Sequence, residues 1–314
     1  MDPLRIMAEV RGFFTRAEAR GLGYDDRAVT RAVRAQLWLR IRRGYYTFVD
    51  LWAGMDDRDR HLARAHAVQH SLGPSVALSD VSGCLEHGIA TWDIDLSRVH
   101  VTRLDGGAGR IEGDVVHHEG FCLKDDLSET PFGLVLSPAR CALEAGARVG
   151  GGERGLVVLD SLLNLGLSDL AGLEEQFKLM ERWPRMRGMH IPVRMADGDS
   201  ASVGETRGRW LFWVHHIPAP LLQYQVHDAN GALVGTCDWA WPDRNQLGEF
   251  DGRVKYGRVL KPGQDVGEVV FAEKQREDLL REITSFGMIR YVWSDYDRPR
   301  LAAARLGRQL RRSS

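Results

Sequence analysis

The chain contains few of the features that mark secreted and membrane proteins. Its 314 residues include four cysteines, Cys84, Cys122, Cys141 and Cys237, and no two of them form a Cys-x-x-Cys pair. This scarcity excludes a disulfide framework and a zinc ribbon, and it is typical of a reducing compartment. No apolar run approaches the ~18 residues that a membrane-spanning helix needs, and no signal-like segment begins the chain. We therefore expect a cytoplasmic protein without a membrane partner.

Lysine is also scarce, since only five of the 42 basic residues are lysines. A lysine in a functional motif is therefore more informative than usual. Hydrophobic residues make up 44% of the chain and charged residues 27%, which excludes fibrous and disordered classes. The length predicts two or three domains, each able to bury a core.

The net charge is −1, but the basic residues are unevenly distributed. Residues 1–50 hold ten arginines against six acidic residues, and six arginines without an acidic residue fall between positions 27 and 43. Such a basic segment on a neutral chain indicates an anionic partner.

The basic segment has the pattern of a helix followed by a hairpin. Asp25 is a good N-cap for a helix over 25–36, and this helix would carry Arg27, Arg31 and Arg34 on one face. Alternating residues and Gly44 then predict a two-stranded wing with Arg40, Arg42 and Arg43. Residues 1–54 are thus predicted to be a winged helix-turn-helix whose arginines bind double-stranded DNA. The alternative is a solvated amphipathic helix.

The middle region, residues 55–195, is predicted to be mixed α/β. Its helices are expected at 57–71, 138–147, 153–165 and 168–182, and its strands at 98–103 and 113–118. His117, His118 and Cys122 lie close together in sequence, but no second ligand pair accompanies them, so their spacing does not indicate a zinc site. The polar stretch 195–202 resembles a linker.

Residues 196–314 show the order α-β-β-β-α-β. The expected elements are a helix at 203–216, strands at 222–228, 233–241 and 246–251, a helix at 272–286 and a strand at 288–293. Asp238 and Glu249 fall on neighbouring strands, and Glu205 and Asp251 could complete an acidic cluster. Carboxylates at the rim of a sheet suit Mg²⁺, with Mn²⁺ as a substitute. The alternative is that they are solvated or form salt bridges.

Basic residues near this cluster could orient a water molecule or stabilise a phosphorane-like transition state. The candidates are Lys255, Lys274 and Arg276. The predicted catalytic set is therefore Glu205, Asp238, Glu249, Asp251, Lys255 and Lys274, with Asp238, Glu249 and Glu205 as metal ligands.

The C-terminal motifs resemble those of a known superfamily. The stretch carrying Glu205, Cys237-Asp238, Gly248-Glu249-Phe250-Asp251-Gly252, Glu273-Lys274 and Arg290 is similar to the PD-(D/E)XK, restriction-endonuclease-like superfamily, near the very-short-patch-repair endonucleases. The resemblance covers roughly 200–297 and implies Asp238 and Glu249 as metal ligands, with Glu205 as the helix acid. The superfamily's lysine belongs two positions after the glutamate, where Asp251 stands. Either Lys255 or Lys274 takes over that role, or the site is inactive.

The N-terminal 50 residues resemble another family. The phrases Gly12-Phe13-Phe14-Thr15 and Arg43-Gly44-Tyr45-Tyr46-Thr47 are similar to the winged helix of Abi-type type IV toxin–antitoxin antitoxins. This resemblance implies a toxin as a partner. The sequence thus predicts an α+β multidomain protein that binds DNA and carries a Mg²⁺-dependent endonuclease domain. The alternative is a non-enzymatic repressor or antitoxin with a degenerate nuclease fold. The oligomeric state is left open.

Overall fold

The computed structural model describes residues 2–122, 126–252 and 266–312 and is mixed α/β with three sheets. The chain divides into two compact units. The first comprises Met1–Val158 and Leu167–His190, and the second Leu159–Gly166 and Ile191–Ser314. The predicted boundary between residues 54 and 55 falls inside the first unit, and the one between 195 and 196 falls inside the second. In the described parts of the chain, no helix has the length and apolar character needed to cross a membrane.

The first unit begins with three short helices and a three-stranded sheet. The elements are α1 (Pro3–Arg11), β1 (Phe14–Thr15), α2 (Arg16–Gly21), α3 (Asp26–Arg34), β2 (Trp38–Arg42) and β3 (Tyr45–Phe48). The strand order is β1-β3-β2, and β3 is antiparallel to both neighbours. Thr15 and Glu18 form a capping box that starts α2. Helix α3 and the β2–β3 hairpin match the predicted helix and wing, whereas strand β1, which the sequence did not predict, adds a third strand to the sheet.

An aromatic core holds this N-terminal segment (residues 2–48) together. The rings of Phe14 and Trp38 meet edge to face at 4.8 Å between centroids, and Tyr46 stacks on Phe14 at 6.0 Å. Leu4 from α1 and Val29 from α3 are buried in the same cluster. Because α3 buries its valine edge here, its arginine face is left at the surface.

A six-stranded sheet forms most of the rest of the first unit. Its strand order is β6-β7-β5-β4-β9-β8, with β5–β7 and β4–β9 parallel and the other pairs antiparallel. The strands are β4 (Val76–Leu78), β5 (Val99–Arg103), β6 (Arg110–Glu112), β7 (Val115–His118), β8 (Leu127–Thr130) and β9 (Gly133–Leu136). The helices are α4 (Val49–Gly54), α5 (Asp57–Leu72), α6 (Asp80–Glu86), α7 (Pro138–Arg148), α8 (Gly152–Asn164) and α9 (Leu170–Met180). Helix α8 runs from the first unit into the second.

The second unit contains a four-stranded sheet with order β10-β11-β12-β13. Its elements are α10 (His190–Met195), α11 (Val203–Val214), β10 (Leu221–His227), β11 (Leu233–Trp241), β12 (Gln246–Phe250), α12 (Val266–Thr284), β13 (Gly287–Tyr291), α13 (Trp293–Tyr296) and α14 (Pro299–Arg312). The first three strands are antiparallel, and β13 returns parallel to β12 after α12. From α11 to β13 this is the predicted order α-β-β-β-α-β.

The core of the second unit lies between its sheet and α11 and α14. Trp239 and Tyr291 are fully buried and meet edge to face with Phe212 of α11. Leu306 and Leu310 bring α14 into the same cluster. The sequence analysis did not predict α14, although these leucines and Ala302 share one helical face.

Candidate nucleic-acid interface and acidic site

Helix α3 exposes a basic face. The Asp25 carboxylate accepts a hydrogen bond from the Ala28 N–H at 2.6 Å and caps the helix. Arg27, Arg31 and Arg34 are all exposed on the side away from buried Val29. The structure thus places these three predicted residues together on one surface.

Helix α2 supports both α3 and the β2–β3 hairpin through one residue. The Arg16 guanidinium lies 2.7 Å from the Asp26 carboxylate at the start of α3. The Arg16 backbone N–H donates to the Gly44 carbonyl at the hairpin tip, at 2.8 Å. Gly44 has a φ of +85°, a left-handed conformation that favours glycine. Sequence analysis missed the role of Arg16, which fixes the hairpin tip relative to α3 and neutralises an acid beside the basic face.

Five of the six predicted DNA-binding arginines are exposed. In the described parts of the chain, none of their side chains forms an ion pair or a hydrogen bond; they are Arg27, Arg31, Arg34, Arg40 and Arg43. The sixth, Arg42, is half-buried and donates to the Asp114 carboxylate at 3.0 Å. The basic surface is defined here as the five unpaired arginines. Arg42 contacts the loop before β7 through Asp114 and is not part of the basic surface.

The predicted acidic residues of the second unit lie on α11, β11 and β12 and immediately after β12. Asp238 and Glu249 each adjoin the Trp239–Gly248 pair that joins β11 to β12. The Asp238 carboxylate accepts the Phe250 N–H at 2.7 Å. Glu205 is buried and accepts hydrogen bonds from the Ala201 N–H, the Ser202 hydroxyl and the Gln223 amide at 2.7 to 3.0 Å.

Two arginines, not lysines, meet these carboxylates. Arg276 of α12 lies 2.6 Å from one Glu249 oxygen, and Arg290 of β13 lies 3.5 Å from the other. Arg290 also lies 3.8 Å from Asp251 and 2.9 Å from Glu277. Parallel pairing of Glu249 with Arg290 across β12 and β13 produces this contact. Sequence analysis named Arg290 only within the superfamily motif and gave it no role.

The two predicted lysines contribute no described contact. Lys255 lies outside the described residues, and Lys274 lies on α12 in a part whose side chains are not described. Among the described residues, three or more His, Cys, Asp or Glu ligand atoms lie within 4.8 Å of one another at Asp80, His100 and His118, in the first unit. The four predicted carboxylates do not form such a group there.

One comparison with known proteins bears on the basic surface. A family model described as "Transcriptional regulator, AbiEi antitoxin" matches residues 3–49, from α1 to the residue after β3. The matched residues include all five arginines of the basic surface. Among curated proteins, none matches the chain.

Proposed function

We propose that the protein is a transcriptional regulator of the antitoxin type that binds double-stranded DNA through its N-terminal winged helix. The observation that carries this proposal is the basic surface on α3 and the β2–β3 hairpin, whose five arginines have no partner in the described chain. The family model that covers the same residues supports it.

The geometry suits a duplex. A helix fits the major groove of B-DNA, where arginine can bind guanine through O6 and N7. Arg27, Arg31 and Arg34 would enter or border this groove, while Arg40 and Arg43 on the hairpin would reach the adjacent backbone. An exposed arginine without an internal salt bridge breaks no ion pair when it binds a phosphate. Each such contact therefore gains the full free energy of counterion release.

The family description also supports a toxin as the protein partner of this regulator. Two experiments test this partner. The toxin should co-purify with the full chain, and the toxin should lose its toxicity when the two proteins are co-expressed.

Fluorescence anisotropy with a short mixed-sequence duplex tests the DNA-binding proposal. We expect Arg31→Ala/Arg34→Ala to weaken binding on the order of 10-fold or more at low salt. The matched control is Arg182→Ala/Arg187→Ala, which removes the same charge from exposed sites elsewhere on the first unit. Equal weakening in both double variants would indicate a general charge effect and contradict the proposal.

A second candidate function is a metal-dependent endonuclease in the second unit. It is favoured by the order α-β-β-β-α-β and by Asp238 and Glu249 on neighbouring strands. Carboxylate oxygens suit Mg²⁺, but among the described residues the four predicted carboxylates do not bring three ligand atoms within 4.8 Å of one another, and Glu249 is paired with Arg276 and Arg290. We therefore favour the non-enzymatic hypothesis, a nuclease-like fold that does not cleave DNA, over the endonuclease.

Nicking of supercoiled plasmid separates these two readings. With Mg²⁺ or Mn²⁺ we expect no nicking above that of Asp238→Asn and Glu249→Gln. Cleavage by the unaltered protein that both substitutions abolish would establish the endonuclease instead.

A further inference from the structure

Three polar side chains that the proposed function does not use converge in the first unit. Asp80 begins α6, His100 lies on β5, and His118 ends β7 beside β5. Asp80 and His100 are 3% and 5% exposed, and His118 is half-buried. Asp80 also has a φ of +50°, an uncommon conformation for a buried non-glycine residue. Backbone outliers of this kind concentrate at binding sites.

The distance between the two imidazole nitrogens matches that between ligands of one metal ion, and the Asp80 carboxylate lies slightly farther away. His100 Nδ1 lies 2.9 Å from His118 Nε2 and 3.8 Å from Asp80 Oδ2. Ligands about 2.0–2.1 Å from a metal lie about 2.9 Å apart at a right angle and about 3.3 Å apart at the tetrahedral angle. A small inward movement of Asp80 would place all three atoms around one ion.

A cavity opens beside these ligands. Its volume is about 290 Å³, and its lining includes Thr102, His118, Glu144, Arg148 and Trp183. Thr102 is 1% exposed, and its hydroxyl has no hydrogen-bond partner in the described chain. One terminal nitrogen of Arg148 is likewise without a partner there. Buried polar atoms left without partners at a cavity wall indicate water or a ligand that occupies the space.

The surrounding charges tolerate a cation. Arg148 donates to both Asp80 oxygens at 2.8 and 2.9 Å. Arg140 pairs with Glu144 at 3.0 Å and with Asp126 at 2.9 Å. Each of the two guanidinium groups is therefore paired with a carboxylate, so neither is an isolated positive charge beside the site.

We propose that Asp80, His100 and His118 bind a divalent transition-metal ion of the zinc class, with its open coordination positions facing the cavity. Two histidines and one carboxylate suit Zn²⁺ and leave room for water or a small anionic ligand near Arg148. This site lies outside the basic surface, and the inference does not depend on DNA binding.

Calorimetric titration of the chelator-treated full-length protein with Zn²⁺, and with Co²⁺ as a spectroscopic probe, tests the site. We expect one ion per chain, visible Co²⁺ absorption bands and a raised melting temperature with Zn²⁺. His118→Gln should weaken binding on the order of 100-fold or more and remove the Co²⁺ bands, since it deletes a ligand. His190→Gln, at an exposed histidine of the same unit, is the matched control and should bind like the unaltered protein.

The 2.9 Å distance between His100 and His118 also fits an N–H···N hydrogen bond between neutral imidazoles, without a metal. If the two histidines form only this hydrogen bond, neither Zn²⁺ nor Co²⁺ binds the unaltered protein, and that result overturns the inference. Equal binding by the unaltered protein and His118→Gln overturns it as well. Asp80→Asn is the second variant, and circular dichroism of both variants shows whether a loss of binding comes from unfolding.

Discussion

The N-terminal segment and the second unit each gather arginines on one surface, but only the second provides carboxylates for them. On α3 and the β2–β3 hairpin, five arginines are exposed and have no partner in the described chain. On α12 and β13, Arg276 and Arg290 lie against Glu249, Asp251 and Glu277. The first surface leaves its charge available to the proposed DNA partner, whereas in the second the arginines and carboxylates pair with each other. Both surfaces are rich in arginine, but only one of them pairs its arginines with carboxylates. We therefore expect the two regions to have different functions.

The largest expected effect comes from removing the core beneath the basic surface. Trp38 is 4% exposed and packs on Phe14, so Trp38→Ala should destabilise the N-terminal segment by about 3–5 kcal/mol. DNA binding should fall with it, because α3 loses its support. Trp239→Ala, at a fully buried position of the second unit, should cost a similar free energy of unfolding but leave DNA binding intact. Chemical denaturation and anisotropy measure both, and equal loss of DNA binding in the two variants would break the comparison.

The first and second units are also expected to respond to pH with opposite signs. Burial lowers the pKa of His61, in the first unit, to about 4, whereas its unfolded value is about 6.5. The unfolded chain protonates this histidine near pH ~6.5, whereas the folded chain does so only near pH ~4. The free energy of unfolding is therefore highest above pH ~6.5 and falls by on the order of 2–3 kcal/mol as the pH decreases toward ~4. Burial raises the pKa of Asp160, in the second unit, to about 6. Because the unfolded chain ionises this carboxyl near pH ~4, the free energy of unfolding decreases as the pH rises from ~4 to ~6.

Hydrogen exchange resolved by peptide, corrected for the intrinsic effect of pH, measures this difference. His61→Gln should reduce the acid sensitivity of α5, and Asp160→Asn should reduce the loss of protection near α11 as the pH rises. Unchanged pH profiles in both variants would rule out these two residues as the source. His190→Gln is the control, because this histidine is exposed.

The ion pairs of the second unit provide a smaller test. Glu249→Gln keeps the shape of the side chain but leaves Arg276 and Arg290 without this carboxylate. Because Glu249 is 7% exposed, we expect a loss of about 1–3 kcal/mol of stability. DNA affinity should stay the same. Urea denaturation and anisotropy check these outcomes, and a change of affinity without a change of stability would assign the second unit a part in DNA binding.

The smallest effect is expected at Arg42. Its guanidinium binds Asp114, so Arg42→Ala should cost at most about 1 kcal/mol of stability and change DNA affinity little. Arg43→Ala, at the exposed neighbour, should weaken DNA binding more while leaving stability unchanged. If Arg42→Ala weakens DNA binding as much as Arg43→Ala, the distinction between paired and unpaired arginines fails.

Local patterns predicted the elements better than the contacts between them. Helix α3 follows from Asp25 and the spacing of its arginines, and the C-terminal order follows from strand alternation and turn residues. The Arg42–Asp114 pair joins residues 72 positions apart, and no local pattern signals it. Asp80, His100 and His118 come together only because β5 pairs with β7 and α6 packs on the sheet. Strand β8 has four partly exposed residues, too few for a readable period.

The salt dependence of DNA binding tests the central claim most directly. If all five arginines of the basic surface neutralise phosphates, the slope of log K against log salt is about −4 to −5, and Arg31→Ala/Arg34→Ala should reduce its magnitude by about 2. Arg182→Ala/Arg187→Ala should leave the slope unchanged. A slope near zero in the unaltered protein, or an equal slope in the Arg31→Ala/Arg34→Ala variant, would contradict the account of the basic surface as a DNA-binding face.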